Sequence, residues 1–351
     1  MADDFPIPET RVLAVASHVT YGHVGNSMAT PVLQSLGVDV AALDTVQFSN
    51  HTGYKQFKGT RTTPEELRDI FDGLQQSFLD DFDVLLSGYV PGPEAVDAVG
   101  SIARDLKLKG GMKAGSFFWV LDPVMGDQGK LYVHEDVVPA YKNLLRDADL
   151  ILPNQFEAET LSDVKIDSFS TLRDAITALH QNHRVPHVVV TSVRFDLNAT
   201  TLSVVGSTLR ADNSPRIFKV DVPAIDCFFS GTGDMFAALM LVRLREASIA
   251  SDLLGSKSWI PPDDVGPTDL PLAKAVEKVL GSMQAVLNKT KEARDRVLQD
   301  LGGELGVLDK ESSSEKRVHL RKTKAAEIRL VRNWEDLRRP EVQHFAEELD
   351  V

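Results

Sequence analysis

The chain has 351 residues, 43% hydrophobic and 25% charged, an ordinary globular composition with length enough for one large core. Its 51 acidic residues outweigh 38 basic ones, and the formal net charge of -13 argues against nucleic acid or an anionic membrane as main partner. A single cysteine, Cys227, excludes a disulfide framework and fits a reduced, cytoplasmic setting.

Residues 1–9 are polar and proline-bearing, with Asp3, Asp4 and Glu9 and no apolar run. They are expected to be flexible and to hold no signal peptide, and no later window approaches a membrane span. Residues 12–16 and 38–43 are short apolar runs that predict two buried strands. Thr63-Pro64-Glu65-Glu66 is a capping box with proline at the first helical position, which predicts a helix to about Ser77. Strands are then predicted at 84–86, 117–121, 150–152 and 188–190, and helices at 93–108, 136–146 and 170–183. Residues 201–205 and 216–220 have no helix between them and predict an antiparallel hairpin. A buried helix is expected over 231–246.

Nearly all-apolar strands alternating with helices predict an α/β fold, a central mostly parallel sheet with helices on both faces. One domain is expected over residues 10–335. Residues 249–271 are rich in proline, glycine and acids and predict a loop insertion outside the core. Residues 302–316, with Gly302-Gly303 and Ser312-Ser313-Ser314, predict a flexible loop. The basic run at 316–322 predicts a solvated face or a strand.

Chemistry concentrates after the predicted strands, where open parallel sheets bind ligands. Gly231-Thr232-Gly233-Asp234 is a small-residue loop feeding a helix, with an acid in its first turn. Free amides at a helix start attract an anion, and the dipole favours its charge. Asp234 repels that anion, so it makes sense as a base that takes a proton from a hydroxyl attacking a phosphoryl group. A plain glycine turn with a dipole-favouring aspartate explains those four residues equally well. After the 117–121 strand, Asp122 and Asp127 lie close on a turn shaped by Pro123 and Gly126. They suit a magnesium ion held partly through water, or are two solvated acids. Asn154 is placed to cap a helix, and Glu157 to complete a capping box or support a metal-water shell. Thr191 and Ser192 carry hydroxyls fit for a phosphate or a turn.

The common nucleotide motifs are absent. No G-x-x-x-x-G-K-[ST] occurs, and neither Gly231-Thr232-Gly233, with Phe236 in the third glycine position, nor Gly22-His23-Val24-Gly25-Asn26 matches the dinucleotide fingerprint.

In this order the pieces resemble the pyridoxal kinases of the ribokinase-like superfamily. The stretches that carry the resemblance are Ser17 with Gly22 through Asn26, the run Val46-Gln47-Phe48-Ser49-Asn50-His51-Thr52-Gly53-Tyr54, and Ser87-Gly88-Tyr89. With them go Asp122 through Asp127, Pro153 through Glu159, Thr191-Ser192 and Gly231 through Asp234. The resemblance implies transfer of the γ-phosphate of ATP to the hydroxymethyl group of pyridoxal, pyridoxine or pyridoxamine. It implies Asp234 as the base, with Gly231, Thr232 and Gly233 as amide donors to the phosphoryl group. Ser17 and Thr52 then hold the polar substituents of the pyridine ring, and Val24, Val46 and Tyr89 wall it, with His51 nearby. Asn154, Thr191, Ser192 and Tyr132 fall on the ATP side, and Ile225, Asp226, Cys227 and Thr232 border the adenine. Asp122, Asp127, Glu157 and Thr191 form the cation region. Mg2+ is expected with ATP, Zn2+ as a substitute, and K+ or Na+ as a monovalent cation. Leu152 stands where some relatives carry threonine, which removes one hydroxyl from that cation region. A homodimer is expected. A kinase of the hydroxymethylpyrimidine branch and a non-enzymatic vitamin B6 carrier are the rival readings. The first lacks the 46–54 run, and the second needs neither Asp234 nor the acidic pair.

Overall fold

In the computed structural model, residues 5–111, 114–127, 129–196, 198–308 and 312–349 are described. The chain runs β1 (Arg11–Tyr21), α1 (Asn26–Ser35), β2 (Asp39–Asn50), β3 (Gly59–Arg61), α2 (Pro64–Gln76), β4 (Val84–Ser87) and α3 (Pro93–Gly110). It continues through β5 (Phe118–Leu121), the small hairpin β6 (Gly126–Asp127) and β7 (Lys130–Leu131), α4 (Val137–Leu144), β8 (Leu150–Ile151), α5 (Gln155–Ser162), α6 (Phe169–His183) and β9 (His187–Val193). Next come β10 (Thr201–Leu209), β11 (Pro215–Pro223), α7 (Thr232–Ala250), α8 (Pro271–Leu308), α9 (Ser312–Ala325), α10 (Trp334–Arg338) and β12 (Glu347–Glu348).

The main sheet has 10 strands in the order β12-β11-β10-β9-β8-β5-β4-β1-β2-β3. From β2 across to β9 every neighbouring pair is parallel. The β9-β10-β11-β12 flank and the β2-β3 edge are antiparallel, so the expected hairpin is present. The expected mostly parallel sheet with helices on both faces is what forms.

Period-two alternation explains why these strands are apolar throughout. Phe118 and Val120 of β5 join one core, while Trp119 and Leu121 join the other. The first core holds α1, α7 and α8, and the second holds α2 to α6. α7 is buried without interruption from Met235 to Arg245, as a helix enclosed on all sides must be. The Thr63 capping box forms as read: Glu66 N donates to Thr63 Oγ1 at 3.2 Å and Thr63 N to Glu66 Oε2 at 2.7 Å.

Three expectations need correction. Residues 302–308 continue α8 and 312–316 begin α9, where a loop was predicted, while 309–311 lie outside the described residues. The basic run at 316–322 is helical, where a strand was one of its two readings. Residues 251–270 do form a connection with two short 3-10 turns, yet they enter the core. Trp259 is buried and stacks on Phe118 at 3.9 Å, and Leu253 and Leu270 are buried beside it. The sparse aromatic content of the segment hid this contribution from a composition argument. α1 was also missed: Pro31 inside it masks its periodicity. No helix among the described residues is long and apolar enough to cross a membrane.

Candidate active site

β1 and β2 slip register between Ala16 and His18, so that Ser17 faces both Thr45 and Val46. A bulge of this kind re-aims side chains at the end of a strand. Thr45 Oγ1 donates to Tyr89 O at 2.8 Å, which holds the turn after β4 against the bulge. Ser17, Val46 and Tyr89, all expected at the ring of the substrate, are thus gathered by one irregularity and one hydrogen bond. Gly88 sits between them and the acid: its absent β-carbon would lie 3.2 Å from Ala16 and 3.8 Å from Asp234 Oδ1. Burial pushes the Tyr89 hydroxyl up, so it stays a donor.

The loop after β1 packs on the start of α7. Gly25 has φ 52, and a β-carbon there would lie 1.9 Å from Ser17 O. Gly231 has φ 85, and a β-carbon there would lie 3.3 Å from Val24 Cγ1. The first helical bond of α7 runs from Met235 N to Gly231 O at 3.0 Å. The amides of Thr232 and Gly233 therefore have no earlier carbonyl within the helix and are available to an anion. Burial pushes the Asp234 carboxyl up to about 6, against the amides of Gly25 and of Asp234 itself, which favour its charge. Such a group is largely ionised at neutral pH and still basic enough to take a proton.

On the other side of the cleft, Asp122 follows β5 and faces α7. The absent β-carbon of Gly233 would lie 3.7 Å from Asp122 Oδ2. Burial pushes Asp122 well up, and the charges of Glu157 and Asp234 push it further. Glu157 is pushed to about 7 by burial, opposed by backbone hydrogen bonds. Its Oε1 accepts from Met125 N at 2.8 Å and Gly126 N at 3.3 Å, and its Oε2 from Asn154 N at 2.9 Å. Glu157 therefore holds the turn bearing Asp122 and Asp127 in place. Asn154 Oδ1 accepts from Glu157 N at 2.9 Å and its Nδ2 donates to Gly126 O at 2.7 Å. The capping role read from the sequence is the one its side chain performs, which leaves one amide hydrogen for a nucleotide.

Thr191 pairs with Asn154 in an isolated parallel bridge. Thr191 and Ser192 together oppose Val204 in a second bulge, with Ser192 at φ 57. Tyr132 is exposed, and its hydroxyl is pushed up by burial and by Asp127 and Glu157. It stands on the β6-β7 hairpin, whose Gln128 lies outside the described residues. Ile225, Asp226 and Cys227 lie on the loop from β11 to α7. Cys227 is half-buried, its thiol pushed up by burial, and its charged neighbours are Arg294, Asp295 and Lys291 of α8 and Asp226.

Among the described residues no group of three or more His, Cys, Asp or Glu side chains is arranged to hold a metal by itself. Asp122 nevertheless fits an arriving cation. It is buried, no hydrogen-bond donor among the described residues reaches its carboxylate, and two further carboxylates repel it. Magnesium that keeps its waters and takes phosphate oxygens needs only one or two such groups.

His51 and Thr52 begin a short 3-10 turn after β2, with His51 buried and Thr52 exposed. The absent β-carbon of Gly53 would lie 2.9 Å from His51 Nδ1 and 3.2 Å from Ser230 Oγ, so this turn also touches the approach to α7. Sequence reasoning gave no role to Gly25 or Ser230, and it missed Thr45 and, above all, Glu327, which bonds to His51 and Tyr54 from the far end of the chain.

The chain is similar to known proteins along most of its length. A pyridoxal kinase of Dictyostelium discoideum is 35% identical over 82% of this chain and 89% of its own length. One of Arabidopsis thaliana is 33% identical over 97% of this chain and 96% of its own. The chain belongs to the pyridoxal kinase family. A pyridoxal kinase from Leishmania donovani, solved in complex with ADP and pyridoxamine, superposes with a TM-score of 0.75 at 31% identity. The superposition covers 97% of this chain and 100% of that one, so the fold is ribokinase-like throughout. The phosphomethylpyrimidine kinase family model matches residues 100–252. That span runs from Asp122 to Asp234 and leaves out Ser17, Val46 and the 46–54 run.

Proposed function

We propose that this chain phosphorylates the hydroxymethyl group of pyridoxal, pyridoxine and pyridoxamine with ATP, and that Asp234 is the base. The observation that carries this reading is a half-buried Asp234 in the first turn of α7, beside the Thr232 and Gly233 amides that open the helix, with its carboxyl pushed up to about 6 by burial. The substrate hydroxyl gives its proton to Asp234. Its oxygen attacks the γ-phosphorus in line, the bond to the bridging oxygen of ADP breaks, and ADP leaves with that electron pair. The amides of Thr232 and Gly233, with the Gly231 turn that aims them, take the charge on the transferring group. Ser17 and Thr52 hold the polar substituents of the ring, and Val24, Val46, His51 and Tyr89 surround it. Asn154, Thr191, Ser192 and Tyr132 face the nucleotide phosphates, and Ile225, Asp226, Cys227 and Thr232 border the adenine.

Asp122 and Asp127 would hold magnesium near the phosphates, with Glu157 fixing their turn and Thr191 at its edge; the ion supplies charge neutralisation there. A monovalent cation, K+ or Na+, belongs to the same reading, supported by the hydroxyl of Thr191 and the excess acid around Asp122. The Tyr132 hairpin covers the nucleotide and excludes water. Cytoplasmic location and a homodimer complete the reading. The lone cysteine supports the first, and the exposed Ile70, Phe78, Leu79 and Leu108 at the α2 and α3 ends support the second.

The test is ATP- and Mg2+-dependent formation of pyridoxal 5′-phosphate by the wild type and by Asp234→Asn. Turnover by the wild type that collapses in the variant supports both activity and base. Because the phosphomethylpyrimidine kinase model covers the nucleotide half, hydroxymethylpyrimidine is run beside pyridoxal. Preference for the pyrimidine would reassign the substrate.

A further inference from the structure

One carboxylate near the C-terminus joins the two loops that face the substrate. Glu327 follows α9, and its Oε1 accepts from the Tyr54 hydroxyl at 2.8 Å and meets His51 Nε2 at 3.0 Å. The same carboxylate lies against the loop after β1. A β-carbon on Gly22 would sit 2.9 Å from either of its oxygens, and the His23 amide favours its charge. α9 reaches the second loop again through His319 Nε2, which donates to Gly53 O at 2.9 Å.

Both loops rest on the start of α7. Val24 packs on Gly231, and Gly53 lies between His51 and Ser230. A shift of either loop would therefore move the ring relative to Asp234 and the amides of the turn. Small displacements of this kind are costly in a reaction that depends on in-line positioning.

The bond also sets the proton on His51. Burial pushes the Glu327 carboxyl up, but the hydrogen bonds from His51 and Tyr54 outweigh it, and the net direction is down. Burial and the Glu327 bond push the Tyr54 hydroxyl up, so it remains a donor. An ionised carboxylate only accepts, so Nε2 must carry the hydrogen. With the hydrogen on Nε2, the other ring nitrogen, Nδ1, is buried and has no partner among the described residues. A side chain at 53 would crowd that nitrogen, since its β-carbon would lie 2.9 Å away.

We propose that Glu327 is a positioning residue for the B6 vitamer: it locks the 22–24 and 51–54 loops onto the α7 start and presents His51 Nδ1 as an acceptor for a substrate hydroxyl. The ligand rests on the pyridoxal kinase reading above; the two-loop lock and the tautomer do not.

The experiment compares initial rates, with pyridoxal and ATP varied in turn, for the wild type, Glu327→Gln, Tyr54→Phe and Ile328→Ala. Ile328 is buried next to Glu327, so its truncation loosens the same segment and keeps the carboxylate. Glu327→Gln is expected to raise KM for pyridoxal about tenfold or more, the loss of a charged hydrogen bond, with KM for ATP unchanged. Tyr54→Phe is expected to move KM the same way by less, and Ile328→Ala to lower Tm with both KM values unchanged. The 15N shifts of the His51 imidazole should show the Nε2–H form in the wild type and a mixture in Glu327→Gln. Unchanged KM for pyridoxal in Glu327→Gln, or in Tyr54→Phe should the first variant not fold, overturns the proposal. So does a parallel rise in both KM values, the same split in Ile328→Ala, or a mixed tautomer in the wild type. A wild type that ignores pyridoxal sinks the substrate reading instead, and the tautomer measurement still decides the lock.

Discussion

The β-carbon that Gly231 lacks would lie 2.0 Å from the carbonyl oxygen of His23. The loop after β1 and the start of α7 are thus in backbone contact, and the turn proposed to bind the phosphoryl group is built on that contact. Gly231 also has φ 85, a conformation that L side chains rarely adopt. Gly231→Ala is expected to cost roughly 1–3 kcal/mol through backbone strain and to displace the amides of Thr232 and Gly233. Turnover should fall more than Tm would suggest. Steady-state rates and melting curves on the same preparation check this, and normal turnover in a folded variant would refute the backbone contact as a functional element.

Asp234, at about 6, gives a pH dependence with a definite sign. A base must be unprotonated to act, so turnover rises as pH rises through about 6 and levels above it. Asp234→Asn should lower turnover by about 10²–10⁴-fold and abolish that limb. Stability runs the other way. The folded carboxyl binds its proton more tightly than the unfolded one, so its contribution favours folding at low pH and is lost as pH rises through about 6. The Tm of Asp234→Asn relative to the wild type should therefore climb across that window. His180 and His187, lowered to about 4 by burial, tilt the wild-type curve oppositely, which is why the difference between the two proteins is the quantity to measure. A difference that is flat with pH would contradict the assignment.

Asp122 is a buried acid repelled by two others, so removing its charge relieves the protein and weakens the cation site. Asp122→Asn should melt above the wild type without magnesium, because an amide costs less to bury than a carboxylate. Its Mg2+ requirement for turnover should rise about 10–100-fold. Magnesium titrations and melting curves measure the two effects separately. A variant that melts lower and titrates like the wild type would remove Asp122 from the cation region.

Most of the sheet was legible because its strands are buried on both faces and are apolar along their whole length, as at 117–121. The start of α7 was legible for a different reason: glycines beside an acid mark a helix N-terminus whatever surrounds it. Asn154 and Glu157 announced their capping box through their spacing alone. The bulges at Ser17 and at Thr191 were not legible, since register depends on the facing strand, and Val46 and Val204 are far away in sequence. Glu327 was hidden for the same reason, lying 276 residues from His51. The basic residues around it suggested a solvated surface, and nothing local distinguishes one half-buried glutamate just beyond such a run. α8 and α9 were missed where Gly302-Gly303 and the three serines outweighed the periodicity on either side.

Trp259 shows how far composition misled over 249–271. It stacks on Phe118 at an interplanar angle of 13°, and Arg245 lies 5.6 Å over its ring. Its indole donates to Gly115 O at 3.3 Å. Beside it, Ser258 Oγ donates to Asp149 Oδ1 at 2.6 Å, and His187 Nε2 donates to Ser258 O at 2.7 Å. Phe118 and His187 are the first residues of β5 and β9, so this packing lies at the amino edge of the sheet. Asp122 and Thr191 stand at the opposite edge. Trp259→Ala should therefore cost about 3–5 kcal/mol, as large aromatic truncations in a core do. It should leave KM for ATP and for pyridoxal unchanged at temperatures where the variant is folded. Denaturant titration with parallel kinetics tests both halves. A loss well under about 1 kcal/mol would mean that the segment only lies on the core, and altered KM values would mean that the amino edge communicates with the cleft.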